Sequence, residues 1–371
     1  MMRGNAIGVI YASETDSKLN ELTIHRTSAS LPFCARYRII DFTLSNLVNS
    51  GIISIGLITR SNYSSLMDHI RLGKDWDLSR KNGGIVMFPP YVLNNSTNFQ
   101  GQVEALYGIK NYLNKRKEKY VVITPANIIC KLDFEDIIDK HEKSGADITL
   151  VTYKTTNSHV STNIVETDDT GRLKDMMLTT VPNDDEKQVN LKVYVVEKEF
   201  LIKLVDEAYA RGQMNFEKNI IMNNINNYYI NTYLYDGYVS VIDHIKAYYD
   251  ASMDMLDYDI RKEIFNKNGK VFTKVKDTAP TVYLKNASVK NSLIADGCTI
   301  DGVVENSILF RGVTVEKGAV VKNSIVMQKG LIMSNSSINY TITDKNVVIK
   351  SERNLSGHES YPIAIAKDKT V

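Results

Sequence analysis

Two short phrases alternate through the last quarter of the chain, and they restrict what it can fold into more than any other feature. One is a glycine followed three residues later by an aliphatic, in Gly297-Cys298-Thr299-Ile300, Gly312-Val313-Thr314-Val315 and Gly318-Ala319-Val320-Val321. The other is Asn291-Ser292-Leu293-Ile294, Asn306-Ser307-Ile308-Leu309 and Asn323-Ser324-Ile325-Val326. Together they read as an imperfect hexapeptide array, the sequence mark of a parallel β-helix whose coils stack aliphatics inward. The other reading is a few irregular strands laid on the preceding domain. Solenoids rarely bury both ends alone, so an association surface is expected there.

Ahead of the array the period changes. From residue 6 to about 265, strand-like apolar runs (Ala6 to Ile10, Ile55 to Ile58, Val121 to Ile123, Ile148 to Val151) alternate with amphipathic stretches. Phe134 to Lys143 places Phe134, Ile137, Ile138 and His141 on one helical face, with Asp133 as its N-cap. Strand–helix alternation predicts a doubly wound, mostly parallel sheet of Rossmann-like type, with chemistry beyond the carboxyl ends of its strands. Residues 266–280, polar and broken by Gly269 and Pro280, read as a linker. The chain thus divides into 1–265, 266–280 and 281–371.

A formal net charge of +2 favours neither nucleic acid nor a membrane surface as partner. The apolar runs are strand-length, and nothing at the N-terminus reads as a signal peptide. Three scattered cysteines and six scattered histidines lack metal-ligand spacing, which fits a reducing cytoplasm and no soft-ligand metal. The 21 tyrosines, with pairs at Tyr228-Tyr229 and Tyr233/Tyr235, read as packing or interface.

Several motifs in one order resemble a known family. Leu31-Pro32-Phe33, Tyr37-Arg38-Ile39-Ile40-Asp41-Phe42-Thr43-Leu44-Ser45-Asn46 and Asn49-Ser50-Gly51 open the series. His69-Ile70, Gly73-Lys74 and Trp76-Asp77-Leu78 resemble H-I-G-x-G-K-x-W-D-L, and Phe99-Gln100-Gly101-Gln102-Val103-Glu104-Ala105-Leu106-Tyr107 resembles Y-x-G-T-A-D-A-V-Y. Asn215-Phe216-Glu217-Lys218-Asn219-Ile220-Ile221 resembles D-F-G-K-D-I-I, and Tyr248 to Leu256 resembles Y-Y-E-A-N-M-D-L-L. These are the motifs of sugar-1-phosphate nucleotidyltransferases, specifically ADP-glucose pyrophosphorylase. The resemblance spans nearly the whole chain. It implies a nucleotidyltransferase sheet domain followed by a left-handed parallel β-helix, with Gln100 and Gly101 on the nucleotide side.

The departures from that pattern are concentrated where charge would do chemistry. The family's phosphate loop G-G-x-G-T-R-L is Ser13-Glu14-Thr15-Asp16-Ser17-Lys18-Leu19 here. A phosphate-wrapping loop uses glycine for close backbone approach, and Glu14 and Asp16 bring negative charge to a polyanion instead. Each such contact, at ~4 Å and an effective dielectric near 20, costs about 4 kcal/mol. Read alone, the loop is an ordinary surface turn. The resemblance also implies two aspartates holding Mg²⁺; their positions are Asn127 and Val241, with Asp243 two residues beyond. Neutral amides and aliphatics hold a hard cation poorly. The glutamate and lysine of F-x-E-K-P fall on Leu178 and Thr179, S-M-G-I-Y reads Asn190-Leu191-Lys192-Val193-Tyr194, and the lysine of K-P-A-V is Ser28.

Loss of both metal carboxylates removes the largest contribution to phosphoryl chemistry. The pattern therefore resembles the non-catalytic, regulatory subunit of glucose-1-phosphate adenylyltransferase, the ADP-glucose-forming enzyme of glycogen synthesis. A cytoplasmic hetero-tetramer with a catalytic homologue is expected, without catalytic residues, metal or other cofactor. His25, Arg26, Arg36 and Arg38 lie where the resemblance places an allosteric sugar-phosphate site, whose ligand would be a sugar phosphate or nucleotide; Arg38 could instead pair with Asp41. The alternative is a divergent but active nucleotidyltransferase taking Mg²⁺ on Asp243 or Asp16. A hexapeptide acyltransferase is disfavoured because residues 281–350 contain no histidine.

Overall fold

In a computed structural model the described residues are 5–12, 18–60, 62–89, 99–156, 162–179 and 185–371. The sheet domain is built on β1 (Ala6–Tyr11), whose six residues are all buried, as an uninterrupted apolar run predicts for a central strand. Helix α1 (Ile39–Asn49) follows, then β2 (Ser54–Ile58), α2 (Ser64–Ile70), β3 (Gly84–Phe88), α3 (Gln102–Gly108) and β4 (Tyr120–Pro125). Next come α4 (Phe134–Ser144), β5 (Ile148–Thr155), β6 (Thr162–Thr167), β7 (Leu173–Thr179), β8 (Lys187–Glu197) and α5 (Lys198–Ala210). β9 (Ile230–Leu234), α6 (Ile245–Asp254) and α7 (Tyr258–Asn266) complete the domain.

The sheet runs β7-β6-β8-β4-β1-β2-β3, with β5 and β9 paired beside β8. β4, β1, β2 and β3 are mutually parallel, and β8 is antiparallel to both β4 and β5. Local signals set the boundaries. Asp133 accepts from the Glu135 and Asp136 amides to start α4, and Gly145 at φ +66° ends it. The buried face of α4 carries Phe134, Ile137 and His141, whose Nδ1 lies 2.8 Å from Thr149 Oγ1.

Residues 282–365 form three five-stranded parallel sheets, the faces of a left-handed β-helix. Its repeats are legible atom by atom. Gly297, Gly312 and Gly318 turn at φ +69° to +75°, and Asn291, Asn306 and Asn323 at +43° to +47°. The asparagines form a ladder, each donating its Nδ2 to the next Oδ1, from Asn291 through Asn306 and Asn323 to Asn339.

The connecting residues are docked rather than free. Phe272 N–H donates to Ser45 Oγ of α1, and Asn49 Nδ2 donates to the Lys270 carbonyl. Phe33, Phe42, Tyr248 and Ile264 of the sheet domain share one buried cluster with Phe310, Ile325, Met327 and Ile342 of the β-helix. Tyr249 Oη donates to the Asn323 carbonyl at 2.8 Å, and Arg26 pairs with Asp344 across the same seam.

Candidate functional site

The carboxyl end of β4 opens onto a cavity of about 810 Å³, lined by Pro125, Gln100, Gly101, Asn127 and Val241 among others. Strand β4 delivers its end to Asn127, and the short strand Ile128–Ile129 pairs antiparallel with Ser240–Val241. The two positions matched to metal aspartates therefore lie side by side. Their chemistry is not that of a cation site. Asn127 is buried; its Nδ2 donates to the Ile242 carbonyl at 3.0 Å, while Ile242 N–H donates to the Asn127 carbonyl at 2.8 Å. The amide closes a two-bond clamp that a carboxylate, having no N–H, would break. Val241 offers no ligand atom. Asp243 lines the cavity, but its Oδ1 lies 2.6 Å from His244 Nδ1. Among the described residues no group of three or more His, Cys, Asp or Glu could hold a metal ion. The described residues at these positions do not fit Mg²⁺.

At the position the resemblance places beside the nucleotide, Gly101 begins α3, where a Cβ would stand 2.2 Å from the Met214 carbonyl, so only glycine fits. Gln100 N–H donates to Glu104 Oε2 at 2.5 Å, fastening the first turn. Ser13, Glu14 and Asp16 lie outside the described residues. Lys18, just after them, is exposed and lines the cavity together with Arg60.

The other half of the cavity holds Lys192 and Glu217, which occupy glycine positions of the sequence motifs. Lys192 stands at the glycine of S-M-G-I-Y and Glu217 at the glycine of D-F-G-K-D. Their side chains meet, Lys192 Nζ lying 3.4 Å from Glu217 Oε1. A register shift in β8 between Asn190 and Val193 turns Lys192 to φ +60°, a glycine-like conformation costing about 1–2 kcal/mol. Lys192 N–H donates to Asn190 Oδ1 at 2.9 Å, and Asn163 Nδ2 donates to Glu217 Oε2 at 2.6 Å. A charged pair thus bridges space that two glycines would leave open. The signal was a pair of glycine replacements of opposite charge. Leu178 and Thr179 are exposed on edge strand β7, and Ser28 is buried.

The four basic candidates separate into two sets. Arg26 is buried, donating through Nε to the Leu22 carbonyl and pairing with Asp344. Arg38 Nη1 donates to Ser65 at the carbonyl (2.7 Å) and Oγ (2.9 Å). It is the Arg38 backbone N–H, not its guanidinium, that donates to Asp41; Asp41 Oδ1 lies 2.5 Å from buried His69 Nε2. Lys345 joins the two arginines: burial first, then Arg38 and Arg26, pushes its ammonium down to about 7. Burial and Arg26 also bring Arg38 down to about 10, against the pull of Asp41. Lys276 is lowered by burial and by Arg311, Arg38 and Lys329. Arg311 donates Nε to Asp296, while its buried Nη2 has no partner among the described residues. His25 and Arg36 are exposed, with Arg36 over the Tyr37 ring at 5.8 Å.

Residues 7–257 match the family described as nucleotidyl transferase, and residues 279–359 match a GlmU-like C-terminal hexapeptide domain. The chain belongs to the nucleotidyl transferase family. Within it, the chain is 31% identical to glycogen biosynthesis protein GlgD of Bacillus subtilis (strain 168) over 99% of its own length and 97% of that protein. It is 34% identical to the GlgD of Geobacillus stearothermophilus, covering 86% of this chain and 84% of that one. Glucose-1-phosphate adenylyltransferase of Clostridium acetobutylicum is 31% identical, with 86% of each chain covered. In this member of the family the sheet, the helix-opening Gly101 and the β-helix are present, while both positions matched to metal aspartates lack carboxylates. Among the described residues no helix is long and apolar enough to cross a membrane.

Proposed function

We propose that this chain is a non-catalytic, regulatory subunit in glycogen biosynthesis, joining a cytoplasmic glucose-1-phosphate adenylyltransferase homologue in a hetero-tetramer and raising its activity. The observation that carries this reading is the Asn127 clamp, since the atom that should grip a metal–triphosphate complex is a hydrogen-bond donor already spent on the Ile242 carbonyl. The Lys192–Glu217 pair across the second half of the cavity supports it. No metal or other cofactor is required. The divergent-enzyme alternative relied on Asp243 or Asp16, and the Asp243 carboxylate faces His244.

A sugar phosphate or nucleotide acts as effector at the basic cluster, with Arg38 and Lys345 as the phosphate-facing groups and Arg26, already paired with Asp344, behind them. Cations held close together favour an anion. Arg36 and His25 contribute charge at its exposed margin at most.

The test is an assay of ADP-glucose formation by the purified chain, by the glucose-1-phosphate adenylyltransferase of the source organism, and by their mixture. The account expects no appreciable product from the chain alone and a higher rate in the mixture. Appreciable synthesis by the chain alone refutes the non-catalytic part; an unchanged rate on mixing refutes the regulatory part.

A further inference from the structure

Lys345 stands at the seam between the sheet domain and the β-helix without a carboxylate of its own among the described residues. It follows the strand Thr341–Thr343 and is half-buried. Its backbone is held on both sides: the N–H donates to Asp344 Oδ1 at 2.7 Å, and the carbonyl accepts from Asp368 N–H at 3.0 Å. Both oxygens of Asp344 are thereby engaged, Oδ1 by that N–H and Oδ2 by Arg26. No described residue makes a hydrogen bond or ion pair with Lys345 Nζ.

Arg38 is the charge that acts on Lys345 most strongly, and part of its guanidinium is also uncommitted. Arg38 Nη1 donates to Ser65, while the neighbouring carboxylate of Asp41 is taken by the Arg38 backbone N–H and by His69. Arg38 Nε and Nη2 donate to no described residue. A guanidinium with a free edge matches the oxygens of a phosphate. Burial, then Arg38 and Arg26, bring the Lys345 ammonium down to about 7 against the pull of Asp344, and Lys276 adds to the lowering. At pH 7 roughly half of Nζ is then neutral amine, against about one part in three thousand for an exposed lysine. A neutral amine set beside a cationic group is an activated nucleophile.

We propose that Lys345 is a site of acylation by small acyl phosphates, the phosphate being held by Arg38 while Nζ takes the acyl group. This rests on the reading of the basic cluster as a phosphate site. The Nζ lone pair attacks the acyl carbon and a C–N amide bond forms. The bond from that carbon to the bridging oxygen breaks, and inorganic phosphate leaves with the electron pair. The proton lost by the amine passes to the departing phosphate or to water. The acyl phosphate supplies the activated group, so the step needs no further reactant. The product is a neutral amide, and acylation therefore removes one of the two phosphate-facing cations and weakens anion binding at the seam.

The test treats the full-length chain with acetyl phosphate at pH 7 and follows each lysine by peptide mass spectrometry, with sulfate binding measured by calorimetry on the same protein. Lys345 is expected to acetylate at least about tenfold faster than Lys285 and Lys290, which are exposed. Excess sulfate should slow Lys345, and not the exposed lysines, by about tenfold or more. Arg38→Met should slow it likewise; if that variant does not fold, the sulfate competition on wild type decides the point. Sulfate binding with Lys345 modified no faster than Lys285 and Lys290 overturns the acylation and leaves the phosphate site standing. Fast modification that neither sulfate nor Arg38→Met slows overturns the holding of phosphate by Arg38, and the proposal with it. Absence of both sulfate binding and selective modification overturns the effector reading as well.

Discussion

Replacing Asn127 by aspartate restores the side chain that the family resemblance implies, and the account expects harm from it rather than gain. Asn127 Nδ2 donates to the Ile242 carbonyl at 3.0 Å in a buried setting. Aspartate removes that donor and sets a carboxylate oxygen against a carbonyl oxygen at the same separation. A lost buried hydrogen bond with an acceptor facing a like dipole costs about 1–3 kcal/mol. At roughly 2–4 °C per kcal/mol for a domain of this size, thermal denaturation should shift down by about 2–12 °C. The defect also has a sign in pH. A protonated carboxyl can donate to the Ile242 carbonyl and an ionised one cannot, so the variant should lose most stability near neutrality and recover toward wild type as pH falls. Melting curves at several pH values, with and without Mg²⁺, check this. An Asn127→Asp protein as stable as wild type, or one raised in Tm by Mg²⁺, would refute the reasoning.

Further outcomes concern charge. Lys131 is fully buried, its Nζ has no partner among the described residues, and burial pushes it down to about 8 from its usual 10.5. The folded chain therefore disfavours the ammonium; this penalty, about 3 kcal/mol at most, is fully present below pH 8 and is relieved as pH rises toward 10.5. Lys131→Met should raise Tm and flatten that rise, which denaturant titration across pH 7 to 10 measures. Removing one partner of the buried Arg26–Asp344 pair should cost about 3–5 kcal/mol, and Arg26→Met with Asp344→Leu less than either single change, as a double-mutant cycle reads. Inorganic sulfate, as a probe of the basic cluster, should bind more weakly as pH rises through about 7, where Lys345 loses its proton, and Lys345→Gln should remove that dependence in calorimetric titration.

The architecture was readable because period and punctuation agree with packing. The apolar run of β1, the Asp133 cap and Gly145 terminus of α4, and the Gly and Asn turns of the β-helix are each local signals whose structural outcome is also local. The site was legible where a motif gave a register: Asn127 and Val241 do sit side by side. Three things were not legible. The amide donor role of Asn127 depends on Ile242, far away in sequence. Lys192 and Glu217 come from separate motifs and meet only because β8 bulges between Asn190 and Val193. The basic cluster takes Lys345 from the β-helix, and four residues near the N-terminus could not announce a partner across a domain seam.

The central claim is that the cavity no longer grips a metal–triphosphate complex, and Mn²⁺ substituted for Mg²⁺ reports on it directly. Electron paramagnetic resonance of Mn²⁺ and ATP should show the same spectrum with the purified chain as without it. A protein-bound Mn²⁺ signal that disappears on Asp243→Asn would contradict the account.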